Sequence, residues 1–293
     1  MTPAGLVRLL LLAALWGGSF LFMRMTASVL GPAWLIFVRV ALAALFLWVV
    51  AIWLKKLLEP QRHWRHYLVL GIFNSALPFF LLAYAAQTIS ASLLSILNAT
   101  SPIWAALIAR LWFKEKLSLL RTLGMGFGLA GVAVLTGVQS LALSATEMIS
   151  IAAALSAALS YGIASNYTKI APDVEALSNA HGSMWAASLI MIPFALSTPA
   201  PIDVPLLPAG AAVLALGVLC SGVAYLIYFR LVADVGAASA LTVTFLIPVF
   251  ATLWGAWLLH EPITWATVSG GVLVLVGTAL ATGFSWRTLV HRR

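Results

Sequence analysis

Apolar and polar residues alternate along this chain in long blocks rather than with the short periods of amphipathic helices or strands. The apolar blocks run for about 20 residues, which is the length that a helix needs to cross a bilayer. Short segments rich in Pro, Gly or charge separate them. Ten spanning helices are predicted, at residues 5–28, 33–54, 67–87, 91–113, 121–138, 148–168, 175–197, 209–230, 237–259 and 264–284.

The composition supports this interpretation. Of the 293 residues, 63% are hydrophobic and only 8% are charged, against roughly 25% charged in soluble domains. So few charges cannot cover a surface in contact with water. The sequence therefore predicts an all-α integral membrane protein whose main partner is the lipid bilayer. With a single cysteine, Cys220, it excludes an intrachain disulfide.

The basic residues predict the orientation of the helices, because cytoplasmic loops carry an excess of Lys and Arg. With the N-terminus inside, 13 of the 16 basic residues fall on cytoplasmic edges. These are Arg8, Lys55, Lys56, Arg62, Arg65, Lys114, Lys116, Arg121, Lys169, Arg230, Arg287, Arg292 and Arg293. Both termini are thus predicted to be cytoplasmic. The net charge of +8 is explained by topology, and no nucleic-acid partner is expected.

One segment occurs twice. Residues 101–117 read SPIWAALIARLWFKEKL and residues 247–263 read IPVFATLWGAWLLHEPI, each with a proline 13 positions before a glutamate. Aligned on these prolines, residues 91–137 and 237–283 are identical at 11 of 47 positions. Two repeats of five helices are predicted, residues 1–143 and 144–293. Because five is odd, the second repeat enters the membrane from the opposite side, as in inverted-repeat carriers that work by alternating access. A duplicated scaffold without transport is the alternative.

Several short motifs resemble those of a known family. The first half opens with LWGGSF at 15–20 and carries RVALAAL at 39–45. The second half has GV at 217–218, AYLIYF at 224–229, GAA at 236–238 and HEPIT at 260–264. In order and spacing these motifs resemble the drug/metabolite transporter superfamily, in its ten-helix EamA-type branch. Within that branch the chain resembles the YddG-type exporters of aromatic and other amino acids, although the motifs that it shares with them are the packing motifs of the whole branch.

The resemblance implies a bacterial inner-membrane exporter of amino acids, aromatic ones included, and it alone implies the direction of transport. An exporter of cationic drugs from the same superfamily is the alternative substrate class. The branch usually has Gly-Glu where this chain has Lys114-Glu115 and His260-Glu261. Each glutamate precedes a residue suited to cap the next helix, Ser118 or Thr264. A structural role and a gating role for the two glutamates are both open.

Three prolines are candidate hinges. A proline inside a helix frees the carbonyl four residues earlier, and in a membrane that carbonyl must face protein or a water-filled cavity. Pro78 frees the carbonyl of Asn74, Pro102 that of Asn98 and Pro248 that of Thr244. The breaks predict a substrate site near mid-membrane. Kinks satisfied by local hydrogen bonds are the alternative.

The candidate substrate-binding residues mix aromatic faces with amides and hydroxyls, as suits a small amphipathic metabolite. They are Asn74, Phe79, Asn98, Ser101, Trp104, Tyr161, Trp185, Ser221, Tyr225 and Thr244. For any single tryptophan, contact with lipid is the competing interpretation. Few basic residues are expected at mid-membrane, which favours a neutral or zwitterionic substrate.

Charges inside the membrane are sparse. All eight acidic residues fall in loops or at helix ends, whereas proton-driven carriers often use a buried acid. Uncoupled transport or exchange is therefore expected, with His181 as the candidate for a titrating group inside a span. Arg24 and Arg39 lie toward the outer side. They either attract a carboxylate at the outer mouth or extend to the lipid headgroups.

An intramembrane enzyme is the rival from another class. It would need buried nucleophiles or acids, and the sequence has neither an HExxH motif nor an intramembrane aspartate pair. No cofactor, catalytic residue or metal site is expected. A small-molecule substrate is the expected soluble partner, and the sequence leaves a monomer or a dimer open.

Overall fold

The computed structural model describes residues 3–56, 58–137, 144–199, 206–236 and 240–282. Within them the chain forms ten helical spans. Seven are uninterrupted: α1 (Pro3–Leu30), α2 (Pro32–Trp53), α5 (Leu119–Gly137), α6 (Ala145–Tyr167), α7 (Ala176–Leu196), α9 (Val243–Leu258) and α10 (Trp265–Thr282). Three are built from consecutive pieces: α3 (Pro60–Leu70, Gly71–Ala76, Leu77–Ala85), α4 (Ala91–Asn98, Ser101–Phe113) and α8 (Leu206–Leu214, Ala215–Val223, Ala224–Val235).

The predicted all-α membrane fold is confirmed. Seven of the described helices are long and apolar enough to span a bilayer, and two further apolar segments, Leu119–Leu135 of α5 and Val243–Leu258 of α9, are shorter. The tenth, α7, has 21 residues and includes Asn179 and His181. Residue 138 of the predicted span 121–138, the first three residues of the span 237–259 and residues 283–284 of the last span lie outside the described part of the chain.

The outer surface of the bundle is apolar, the reverse of a soluble protein. Trp53 is 81% exposed and Trp265 is 88% exposed, at the ends of α2 and α10. Small residues instead fill the helix contacts, with Ala43, Ala44 and Ala157 completely buried. Without a hydrophobic force between helices in lipid, close approach of small residues is what holds a membrane bundle together.

The two halves pack as equivalents. Helix α1 packs against α9, and its counterpart α6 packs against α4; α2 packs against α8, and α7 against α3. The pairs α2–α7, α4–α9 and α5–α10 join the halves directly. These main contacts therefore occur in equivalent pairs. This is the arrangement of two inverted five-helix repeats related by a pseudo-two-fold axis.

Lys114 and His260, which stand where the EamA-type branch usually has the glycine of its Gly-Glu motif, adopt a left-handed backbone conformation. Lys114 has φ 55° and His260 has φ 54°, and they follow helices α4 and α9 at counterpart positions. This conformation costs an L-residue roughly 1–2 kcal/mol and glycine very little. Both side chains are exposed, so no packing compensates for the strain.

We therefore expect Lys114→Gly and His260→Gly each to stabilise the protein by roughly 0.5–1 kcal/mol, after the extra unfolded-state entropy of glycine is subtracted. The measurement is the melting temperature in detergent. Lys116→Gly is the matched control, because it removes the same charge from the same loop at a residue without positive φ. If Lys114→Gly lowered the melting temperature as Lys116→Gly does, the strain argument would be wrong.

Candidate functional site

Two π-helical segments lie at counterpart positions of the repeats. They are Gly71–Ala76 in α3 and Ala215–Val223 in α8, and their glycines Gly71 and Gly217 are 146 residues apart. A π segment widens the turn and leaves some backbone groups out of the regular hydrogen-bond pattern, and such segments are frequent at functional sites. In α3 the widened turn ends just before Pro78, one of the three predicted hinges.

Close backbone contact brings α8 against α2 at Arg39. A Cβ atom added to Gly217 would lie 2.7 Å from the Leu42 Cβ and 3.0 Å from the Arg39 carbonyl oxygen. In the other repeat, a Cβ on Gly71 would lie 3.0 Å from the backbone nitrogen of Ala187 in α7. The glycines thus fix each π segment directly on the helix that it faces.

Arg39 points into the bundle and is only 3% exposed. Its Nε donates a hydrogen bond to Ser221 Oγ at 3.1 Å, and its Nη1 donates to the sulfur of Met23 at 3.6 Å. The guanidinium carbon lies 3.7 Å from the centre of the Phe79 ring, a cation–π contact. Ser221 in turn donates to the carbonyl of Leu216, five residues earlier in the π segment, at 3.0 Å.

Further polar and aromatic groups surround this arginine. Tyr161 of α6 and Tyr225 of α8 lie within electrostatic reach of its guanidinium. Asn74 Nδ2, from the π segment of α3, donates to the Tyr225 hydroxyl at 3.3 Å. Half of the ten predicted binding residues therefore meet here. We name the Arg39 cluster by its six members: Arg39, Asn74, Phe79, Tyr161, Ser221 and Tyr225.

The other five predicted binding residues lie elsewhere. Asn98 and Ser101 flank the break in α4, where the Ser101 hydroxyl donates to the Asn98 carbonyl. The carbonyl freed by Pro102 is thus satisfied locally. Thr244 Oγ1 donates to the carbonyl of Leu241 at 2.8 Å, and the backbone of Trp104 packs on Gly162. A role in binding for these four residues remains a prediction.

Trp185 lies away from the Arg39 cluster and lines a cleft. Its Nε1 donates to His181 Nε2 at 2.8 Å within α7, so the histidine is engaged in a packing hydrogen bond. The two residues line a cleft of about 300 Å³ toward the predicted cytoplasmic end of α2 and α7. The lining residues are Trp48, Ala51, Ile52, Lys56, Leu58, His181 and Trp185.

Of the two interpretations of Arg39, extension to the lipid headgroups is wrong, because the side chain is buried inside the bundle. Arg39 bonds instead to a serine at the centre of α8. Arg24 stays near the predicted outer end, where its Nη1 donates to the carbonyls of Ala86 and Gln87, each at 2.8 Å, just beyond α3. A cation near a helix C-terminus interacts favourably with the dipole.

The repeated glutamates both reach another helix, yet they differ. Glu261 accepts hydrogen bonds from the backbone nitrogens of Ala91 at 2.9 Å and Ser92 at 3.5 Å, at the start of α4, and lies 4.0 Å from Arg24. Glu115, its counterpart, accepts a hydrogen bond from Lys169 at 2.9 Å. That bond holds the pKa of the Glu115 carboxyl below its usual value. The side chain of Glu115 is 39% exposed, against 12% for Glu261.

The predicted helix caps are confirmed. Ser118 Oγ accepts from the backbone nitrogen of Arg121 at 3.3 Å, and Thr264 Oγ1 accepts from that of Thr267 at 3.1 Å. These hydroxyls satisfy first-turn nitrogens of α5 and α10. The glutamates are thereby left free to bond to other helices.

Symmetry is broken at the Arg39 cluster. Gly217 packs on the carbonyl oxygen of Arg39 and its counterpart Gly71 on that of Ser183, so Ser183 is the counterpart of Arg39. Ser75 and Ser221 are counterparts in the two π segments. Only the first repeat therefore supplies an arginine. In the described part of the chain, the buried Ser75 Oγ and Asn98 Oδ1 have no hydrogen-bond partner. Sequence reasoning missed Arg39 as a member of the site, although its charge, which departs from the topology pattern, was the available signal.

The architecture identifies the class of protein. Ten helices in two equivalent halves, with irregular helices meeting at a central polar cluster, are typical of an inverted-repeat membrane carrier. Comparison with known families agrees. The EamA-like transporter family matches residues 3–137 and again 148–283, and this chain belongs to that family, within the drug/metabolite transporter superfamily.

Individual relatives carry only general names. The chain is 25% identical over 272 residues to the uncharacterized transporter YoaV of Bacillus subtilis, covering 92% of this chain and 93% of that one. It is 26% identical over 275 residues to an uncharacterized transporter of Archaeoglobus fulgidus, with 92% and 93% coverage. A solved crystal structure with a TM-score of 0.65 at 18% identity covers 98% of this chain and 99% of the other, and it shares the fold.

Proposed function

We propose that this multi-pass membrane transporter exports amino acids, aromatic ones included, across the bacterial inner membrane by alternating access. Both termini are cytoplasmic in this proposal, and transport is uncoupled or proceeds by exchange. Inverted repeats support alternating access, because exchanging the conformations of the two halves turns a site that opens to one side into a site that opens to the other.

The observation that carries the substrate proposal is the Arg39 cluster. It offers three aromatic rings beside an amide, two phenol hydroxyls and a serine hydroxyl, at the junction of α2, α3, α6 and α8. Aromatic faces with a few convergent polar groups suit a small amphipathic molecule. The described acidic residues lie at helix ends or in loops, which favours transport without a proton-coupling carboxylate.

Uptake into proteoliposomes that contain the purified protein tests this proposal. We expect saturable uptake of several labelled amino acids, unchanged by an imposed pH gradient and absent from protein-free liposomes. Asn98→Leu tests the predicted binding role of Asn98, whose buried amide oxygen has no partner within the described chain and is therefore available to a donor of the substrate. Loss of that hydrogen bond is expected to reduce uptake at least about tenfold. Uptake of none of the amino acids would overturn the substrate assignment. Uptake that depends on the gradient would overturn uncoupled transport.

A further inference from the structure

The guanidinium of Arg39 lies buried in the membrane bundle without an acidic partner among the described residues. Burying an isolated charge is expensive unless it is paired. Its contacts are a hydroxyl, a thioether and a ring face, all of them neutral. The ion pairs of the described chain instead use carboxylates at the helix ends. The charge is thus only partly compensated by the protein.

A carboxylate is the ligand that such a group lacks. Arginine binds carboxylates through two parallel, charge-assisted hydrogen bonds, and these are strongest where water is excluded. The contacts already made by Arg39 orient its planar group, because Nε is held by Ser221 and the face lies on Phe79. An arginine fixed in this way loses little conformational entropy when it binds an anion.

We propose that Arg39 binds the carboxylate of the transported molecule, so that the substrates are carboxylates, with or without an ammonium group, and cations without a carboxylate are rejected. This inference rests on the proposed transport function and specifies its substrate class. The rings of Phe79, Tyr161 and Tyr225 then contact the apolar part of the substrate. Asn74, whose carbonyl is freed by Pro78, supplies an acceptor for an ammonium group.

The symmetry of the chain supports a single anion site. In the second repeat the position equivalent to Arg39, identified by its contact with the glycine of the π segment, holds Ser183, whose hydroxyl donates to the carbonyl of Ala180 at 3.0 Å. Ser75, the counterpart of Ser221, is buried and has no partner in the described chain. If Arg39 served only the helix packing that the two repeats share, the same residue would be expected at both positions. A single cation therefore places the positive charge on one side of the Arg39 cluster only.

Competition against uptake of labelled phenylalanine tests the inference on the wild-type protein. The informative pair is 3-phenylpropionate, which keeps the carboxylate, and phenethylamine, which keeps the ammonium; phenylalaninamide is the third competitor. We expect 3-phenylpropionate to compete at least about tenfold better than either amine, which corresponds to about 1.4 kcal/mol. Equal competition by phenethylamine would overturn the role of Arg39 and leave amino-acid transport standing. No uptake of any labelled amino acid would overturn the transport proposal, and this inference with it.

Variants give a second readout. In Arg39→Gln the preference for 3-phenylpropionate is expected to disappear, while Arg39→Lys keeps the charge and part of the preference but loses the paired geometry. Arg110→Gln is the control, because it removes an exposed arginine at the end of α4. If Arg39→Gln does not accumulate in the membrane, the wild-type competitor pair decides alone. An unchanged preference in a folded Arg39→Gln protein would refute the inference.

Discussion

Replacing Gly124 by alanine is expected to destabilise the protein by roughly 1–3 kcal/mol, the range found for overpacked cores. A Cβ at this position in α5 would lie 2.5 Å from the backbone nitrogen of Ala281 and 2.6 Å from the carbonyl oxygen of Gly277 in α10. Both are backbone atoms, so no side chain can move aside and the two helices must separate. The expected result is a melting temperature lower by roughly 5 °C and less protein in the membrane.

Gly126 provides the matched control, because it lies in the same helix and an added Cβ meets no atom within 4 Å. Alanine is the better helix former by up to about 1 kcal/mol, so Gly126→Ala is expected to leave the melting temperature unchanged or raise it. If the two substitutions change the melting temperature in opposite directions, the effect at Gly124 is due to the contact between α5 and α10 and not to helix propensity. Equal melting temperatures for the two variants would contradict the tight α5–α10 packing.

Much of the fold could be predicted because hydropathy and repetition are coarse signals that survive without atomic detail. A span of about 20 apolar residues has few alternatives to a membrane helix. The spacing between Pro102 and Glu115, repeated at Pro248 and Glu261, marked the two halves. Because each half has five helices, an odd number, the second half must enter the membrane from the opposite side. These features depend on length and order, which the sequence states directly.

The site was predicted only in part because it depends on how each helix is rotated and where it widens. The sequence left Arg39 either at the outer mouth or at the lipid headgroups, and only the close approach of Gly217 to α2 shows that it meets Ser221. The π segments have no simple sequence signature, and they turn Asn74 toward Tyr225. Such contacts depend on partners more than 140 residues away, which periodicity within one helix cannot reveal.

Glu261 holds together four elements at the predicted outer end. Its carboxylate accepts from the first nitrogens of α4 and lies beside Arg24, which itself donates to two carbonyls just beyond the end of α3. Arg24 comes from α1, and Glu261 from the loop between α9 and α10. At the other end its counterpart Glu115 makes exposed ion pairs with Lys169 and Arg121. A carrier that closes one end at a time is expected to show such a difference between the contacts at its two ends.

Glu261→Gln is therefore expected to shift the conformational equilibrium toward a state open at the predicted outer end. Hydrogen bonds to a charged group contribute roughly 1.5–3 kcal/mol, so removing the charge is expected to change the ratio of the two states about 10- to 100-fold. The only cysteine, Cys220, reports this shift without further engineering. It is 2% exposed and precedes Ser221 of the Arg39 cluster.

The measurement is the rate at which a membrane-impermeant thiol reagent, added outside intact cells, modifies Cys220. We expect at least a tenfold increase in Glu261→Gln over the wild type. In the matched control, Glu115→Gln, no increase from the outside is expected, because that carboxylate lies at the opposite end. A wild-type rate in Glu261→Gln would mean that the contact with α4 only caps a helix, and the gating role of the repeated glutamate would be rejected.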